Sequence, residues 1–286
     1  MGDTATFWTA EILGMGTDDV LGKSVMLDSI YVHGFHTPKP PPPPHLRVDR
    51  GNRQLTLRWD ALPGEVNPET YVDPYRGDRP VVPFEGYRVY KSMRGPDGPW
   101  TLLNEYDIAG NGYGHDFGLE HSYTDAGLLN NFEYYYAVTA FSKDDRVYGF
   151  RTRESRIPLS TVKASPGIPP AEHVGEVAVV PNPYRGDIAY YQYTPAWEQP
   201  SAGRSAWMEQ DRKVQFINLP ERCVIKIFTL AGELVQTLRH DDPTNNYHDW
   251  NLTSSVGQAT ASGIYLFTAE DVIHGGVQVG KFVIIK

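Results

Sequence analysis

The chain has 286 residues, enough for two domains, and 40% of them are hydrophobic, which is enough for real cores. Its net charge of −9, with no Lys/Arg cluster, argues against binding nucleic acid through the phosphates. No run of 18 apolar residues is present to span a membrane, and a single cysteine, Cys223, allows neither an internal disulfide nor a cysteine-based zinc site.

Residues 1–37 form an N-terminal extension with too little apolar area to fold alone. Phe7–Leu13 fits a strand or one helical turn. Ser24–Val32 reads as a strand, with Val25, Leu27, Ser29 and Tyr31 on one face. The start has no basic residues and no clean apolar stretch, so it is not a secretory leader. The extension is expected to be the end of a truncated upstream domain. Residues 38–44 hold five consecutive prolines, a polyproline II rod read here as a linker.

Residues 45–163 read as one β-sandwich. Gln54–Trp59 alternates, with Leu55, Leu57 and Trp59 inward. Gly86–Lys91, Thr101–Leu103 and Glu133–Ser142 follow, and on the last of these Tyr134, Tyr136, Val138 and Ala140 share a face. Thr152–Thr161 is expected to be the closing strand. Two insertions stand out, Pro63–Pro83 and the Gly-rich Gly110–His121. Residues 164–174 are a second Pro-rich linker. Residues 175–286 open on Val177–Val180 and Pro181-Asn182-Pro183-Tyr184. An aromatic insertion runs from Tyr190 to Arg212, and strands then come quickly from Val214. Lys281–Lys286 is almost continuously apolar, which predicts burial on both faces.

The fold class is therefore all-β, with two tandem antiparallel β-sandwiches behind an N-terminal extension. Trp59, Tyr123-Thr124-Asp125, Leu128 and Tyr134–Ala140 resemble a fibronectin type III domain. In that family the residue matching Tyr134 makes a tyrosine corner, its hydroxyl meeting backbone at the sheet crossover. The final segment is similar to the C-terminal sorting domains of proteins exported by the type IX secretion system, and to the Ig-like domain of the flagellar hook-capping protein. The matching residues are Pro181–Tyr184, Ile225–Val235, Trp250, Gly257, Ala261–Tyr265 and Gly280–Lys286. This resemblance implies export across an outer membrane, with the terminal module recognised by the secretion machinery. It makes Gly280, Lys281, Phe282, Val283, Ile284, Ile285 and Lys286 the candidate sorting signal. It also requires a longer precursor, and an extracellular or outer-membrane location.

No catalytic constellation is legible. There is no G-x-S-x-G or H-E-x-x-H, and Gly110-Asn111-Gly112-Tyr113-Gly114 lies in a loop, not between strand and helix. The expectation is a non-enzymatic chain without cofactor. Glu65, Glu69, Asp73 and Asp78, with Asn67, form an oxygen-rich loop that suits Ca²⁺ in chemistry but not in EF-hand spacing. His33, His36 and His45 are the densest histidine group, but on an extended segment the first two point to opposite faces. Tyr71, Tyr75, Tyr113, Tyr190, Tyr191, Tyr193, Trp197 and Trp207 look exposed, although packing of the insertions onto their sandwiches is the favoured reading. Of these, Trp197, Trp207, Tyr191 and Tyr193 are candidate glycan contacts. The primary expectation is a spacer or interaction module followed by a sorting or attachment module. The alternatives are a glycan-binding accessory region of an exported carbohydrate-active enzyme, and a subunit of a self-assembling surface filament. Expected partners are the secretion machinery, other surface proteins, glycans or copies of the chain.

Overall fold

A computed structural model of the protein describes residues 8–78, 82–200, 204 and 206–286. Phe7 of the first predicted run, positions 79–81 of the 63–83 loop and positions 201–203 and 205 of the aromatic insertion lie outside the described residues.

The chain opens with a helix, α1 (Thr17–Val32), where a strand is expected over Ser24–Val32. Asp18 and Asp19 sit in its first turn, where the helix dipole favours negative charge. The Lys23 ammonium meets Asp19 at 2.8 Å one turn later. The alternation of Val25, Leu27, Ser29 and Tyr31 has no neighbouring strand to pair with, and the local helix signals win. His33 at the helix end packs edge-on against Tyr75 and Tyr148, with both ring centroids at 5.8 Å. In the proline run, Pro38, Pro41 and Pro44 are buried. That spacing of three is the polyproline II period, so one edge of the rod is packed rather than standing free.

The first sandwich has a three-stranded sheet of β1 (Arg47–Gly51), β2 (Gln54–Arg58) and β5 (Ser122–Ala126). It faces a four-stranded sheet in the order β4 (Thr101–Asp107), β3 (Phe84–Ser92), β6 (Tyr134–Ser142), β7 (Val162–Ala164). All these pairings are antiparallel. Leu55, Leu57, Trp59, Tyr87, Val89, Tyr134, Tyr136 and Val138 form the core between the sheets. The Leu129 N–H donates to the Tyr134 hydroxyl at 3.0 Å, so the expected corner is present.

The closing strand expected over Thr152–Thr161 is not formed; the sheet closes on β7, just beyond that span. Residues 152–156 form a polar strap over β6, and Ile157–Leu159 is a 3₁₀ turn. Pro158 has no N–H for a ladder. Glu154 instead accepts from Arg88 at 2.5 Å, Tyr90 at 2.8 Å and Thr139 at 2.5 Å. This strap buries the outer face of β6, so both its faces are covered.

The second sandwich pairs β8 (Ala178–Val180), β10 (Val214–Ile217) and β13 (Tyr247–Trp250) in one sheet. Between its strands lies β9 (Tyr184–Arg185), which belongs to the opposing sheet. That sheet has the order β12 (Leu234–Asp241), β11 (Arg222–Thr229), β14 (Gly263–Asp271), β15 (Val277–Ile285), β9. Phe216, Ile225, Ile227, Trp250, Tyr265, Phe267, Phe282 and Ile284 fill the core. Cys223 belongs there too, and burial beside Asp271 pushes its thiol up to about 12, the state of an inert apolar side chain.

The linker is bonded at both ends. Gly167 N–H reaches Gly51 O at 3.1 Å and Ala171 N–H reaches Leu219 O at 3.0 Å. Between the sandwiches Arg50 bonds Asn245 at 2.5 Å and Tyr135 bonds Gln199 at 3.2 Å. Phe132 packs against both cores.

Candidate functional site

Two features of the terminal sandwich stand out. The first is the end of the chain. β15 is not buried on both faces as its apolar run predicts. Phe282 and Ile284 are in the core, while Val277 is 59%, Val279 69% and Ile285 46% exposed. The pleat alternates sides, and among the described residues none covers the outer face of this strand. Ile264, also exposed, is the cross-strand partner of Val283, so the two strands share an aliphatic outer stripe interrupted by Lys281. Gly280 is opposite Phe267, and an added Cβ there would lie 2.3 Å from the Phe267 ring.

Pro181–Tyr184 and Gly280–Lys286 lie a hundred residues apart in sequence and meet in space. β9 runs parallel to β15, with Tyr184 beside Ile284 and Arg185 beside Ile285. The Asn182 side chain accepts from Val283 N–H at 3.1 Å, and Gly186 N–H donates to Ile285 O at 2.6 Å. On the other side Ser262 accepts from Lys286 N–H at 2.8 Å. Each bond satisfies backbone that a terminal strand would leave open. Beneath them, the buried Tyr184 hydroxyl donates to Glu198 at 2.7 Å and accepts from Arg212 at 3.0 Å. Burial raises the Tyr184 hydroxyl and, separately, the Glu198 carboxyl above their ordinary values.

The second feature is the aromatic insertion, which divides the candidate glycan contacts. Trp197 is 7% exposed and Tyr190 is buried with it, as the favoured expectation of packing onto the sandwich has it, so Trp197 is removed from the candidate glycan contacts. Trp197 packs on Phe132 with centroids 5.1 Å apart, and its indole N–H donates to Lys213 O at 3.2 Å. Tyr191 and Trp207 instead stack on each other, 4.6 Å between centroids. Two hollows result. One, of about 470 Å³, is lined by Phe132, Ile168, Tyr190, Tyr193, Trp197 and Gln215 among others. The other, of about 420 Å³, is walled by Tyr135, Tyr191, Trp207 and the 94–99 turn. In the first, the amide oxygens of Gln215 and Asn246 have no hydrogen-bond partner, although these residues are only 1% and 3% exposed. A buried acceptor without a partner is costly, and these two oxygens are closed off from the hollow as well as from solvent. No pattern in the sequence marks Gln215 or Asn246; only the fold brings them there.

The carboxylates of the 63–83 loop go to separate protein partners. Glu65 meets Arg47 at 3.0 Å, Glu69 accepts from Tyr87 at 2.9 Å, Asp73 from Lys39 N–H at 2.5 Å, and Asp78 pairs with Arg76 at 2.7 Å. Of the three histidines, His36 stacks on Tyr75 at 4.9 Å and His45 meets Glu65 at 2.7 Å. The glycine loop at 110–114 also has a structural partner. Asp107 is fully buried and accepts from the N–H groups of His115 at 2.5 Å, Asp116 at 3.0 Å and Phe117 at 2.6 Å. Gly114, with φ +62°, has no room for a Cβ above that carboxylate.

No protein-family description and no curated protein matches the chain. Among solved structures it is similar to PorZ, described as an essential surface component of the type-IX secretion system of Porphyromonas gingivalis. That match has 22% identity over 39% of this chain and 12% of PorZ, with a TM-score of 0.28. The FN1–FN3 domains of chicken CNTN1 match at 13% identity over 88% of this chain and 69% of theirs, with a TM-score of 0.28. Dimeric latent PorU of P. gingivalis matches at 13% identity over 86% of this chain and 20% of PorU, with a TM-score of 0.25. At these TM-scores the likenesses carry no argument, and the fold is read from the strand pairing itself: all-β sandwiches, antiparallel apart from the β9–β15 contact.

Proposed function

We propose that this chain is a non-enzymatic region of a secreted or surface-attached bacterial protein. The fibronectin-like sandwich is the spacer or interaction module, and the last sandwich is a sorting or attachment module recognised by outer-membrane secretion machinery. The observation that carries this reading is the junction of Pro181–Tyr184 with the terminal strand. The motif secures the chain end in the sheet, and the same strand keeps an uncovered aliphatic stripe outside. In the full-length protein, within a host that has the export system, Val279, Val283 and Ile285 are replaced together by Ser. These side chains lie outside the core, so thermal unfolding should stay close to wild type, while surface delivery should fail. Surface delivery at the wild-type level by the folded variant would sink the proposal.

A second reading, glycan binding, is favoured by the 470 Å³ hollow with its aromatic walls. Sugars present both an apolar ring face and hydroxyl donors. It predicts binding on a glycan array that Tyr193→Ala weakens. Tyr193 is half exposed, so its loss should leave the fold intact. An array without signal removes this reading and leaves the sorting reading untouched.

A further inference from the structure

The linker between the sandwiches ends at His173 and Val174, directly against the hairpin that joins β14 to β15. His173 and His274 face each other with ring centroids 4.7 Å apart and planes at 86°. Between them and the sandwich lies Asp271, whose side chain is wholly buried. Its Oδ1 accepts from Ile273 N–H at 2.9 Å and His274 N–H at 3.0 Å. Its Oδ2 has weaker company, Val174 N–H at 3.3 Å and His274 Nδ1 at 3.5 Å. Ligand atoms from His173, Asp271 and His274 all lie within 4.8 Å of one another.

We propose that these three residues bind a divalent transition metal of the zinc class, and that the metal clips the linker to the β14–β15 hairpin. The site is independent of the sorting reading. Two imidazole nitrogens and one carboxylate oxygen are a zinc-type donor set, leaving a fourth position for water. The carboxylate is held in place by the backbone, as ligating carboxylates commonly are. Both imidazoles are exposed, so they reach solvent metal and can turn to close the remaining distance. Zinc–ligand bonds of about 2.0–2.2 Å require the donors to draw closer than they stand now. His173 and His274 must rotate, whereas Asp271 need not move.

Among the described residues a second three-residue group with this chemistry, Glu105, Asp107 and His115, is a poorer site. Asp107 already serves three backbone N–H groups, Glu105 pairs with Arg88 at 2.6 Å, and His115 stacks on Phe117. A metal there would have to displace existing partners; at His173, Asp271 and His274 only weak contacts give way.

The test is calorimetric titration of the metal-stripped full chain with zinc chloride, alongside His173→Ala and His274→Ala. These variants change exposed side chains, and thermal unfolding without metal confirms that each is folded. One zinc per chain is expected. Each variant should weaken it on the order of tenfold or more, since even an outer-layer partner is commonly worth that much. Zinc should also slow proteolysis of the 164–174 segment in the wild type and not in the variants. No uptake by the wild type, or uptake that either variant leaves unchanged, overturns the proposal.

Discussion

Glu198 sits beside Tyr184 under the terminal strand, and burial is the largest influence on its carboxyl, raising it above the ordinary 4.5. The Tyr184 hydroxyl, Lys213 N–H and Arg212 pull the other way without reversing the shift. For an acid whose folded value is raised, its stabilising contribution is complete below the unfolded value and lost as pH rises through the folded one. Glu198→Gln keeps an acceptor for Tyr184 and removes the buried charge. It is expected to be more stable than wild type at pH 7, with the advantage disappearing as pH falls below 4.5. Urea unfolding across pH checks this, and a variant less stable than wild type at pH 7 contradicts it. At this scale legibility is uneven. The Tyr134 corner is legible because its partner, Leu129, is five residues away, within local chain geometry. Trp197 is not. An aromatic-rich insertion looks the same whether it lies on a surface or folds back onto the core, and only packing against Phe132 and Lys213 decides.

Among elements, the terminal strand shows where hydrophobic pattern misleads. Val283, Ile284 and Ile285 read as a strand covered on both sides, but β-pleating sends them alternately in and out, and among the described residues no layer covers the outer face. Gly280 leaves no room for a side chain beside the Phe267 ring. Gly280→Ala is expected to cost about 1–3 kcal/mol through overpacking against Phe267, measured as a lowered urea midpoint. An unchanged midpoint would mean that the Phe267 ring moves aside freely. Helix α1 errs in the opposite direction. Its Thr17-Asp18-Asp19 start is a legible helix signal, yet the alternation after Ser24 speaks for a strand. A strand needs neighbours that the extension does not have.

As a whole molecule, the two sandwiches behave as more than beads on a string. The proline-rich stretches are legible as such, but their bonding to the domains is not, because it depends on long-range backbone partners such as Gly51 and Leu219. Phe132 is the side chain shared by both cores. Wild-type calorimetry is expected to show one cooperative transition, and Phe132→Ala two separable ones, with a loss of about 3 kcal/mol or less because Phe132 is only partly buried. Two transitions already in the wild type would mean that the interface does not couple the domains.

The parallel contact between β9 and β15 has a mechanical side. A chain held at its last residue and pulled through the segment before Tyr184 loads these adjacent strands in opposite directions along their lengths. Strands loaded this way slide past each other instead of peeling apart. The bonds from β9, Asn182 and Gly186 to the last strand therefore share the tension together. Between Tyr184 and Lys286 the terminal sandwich therefore resists tension in shear.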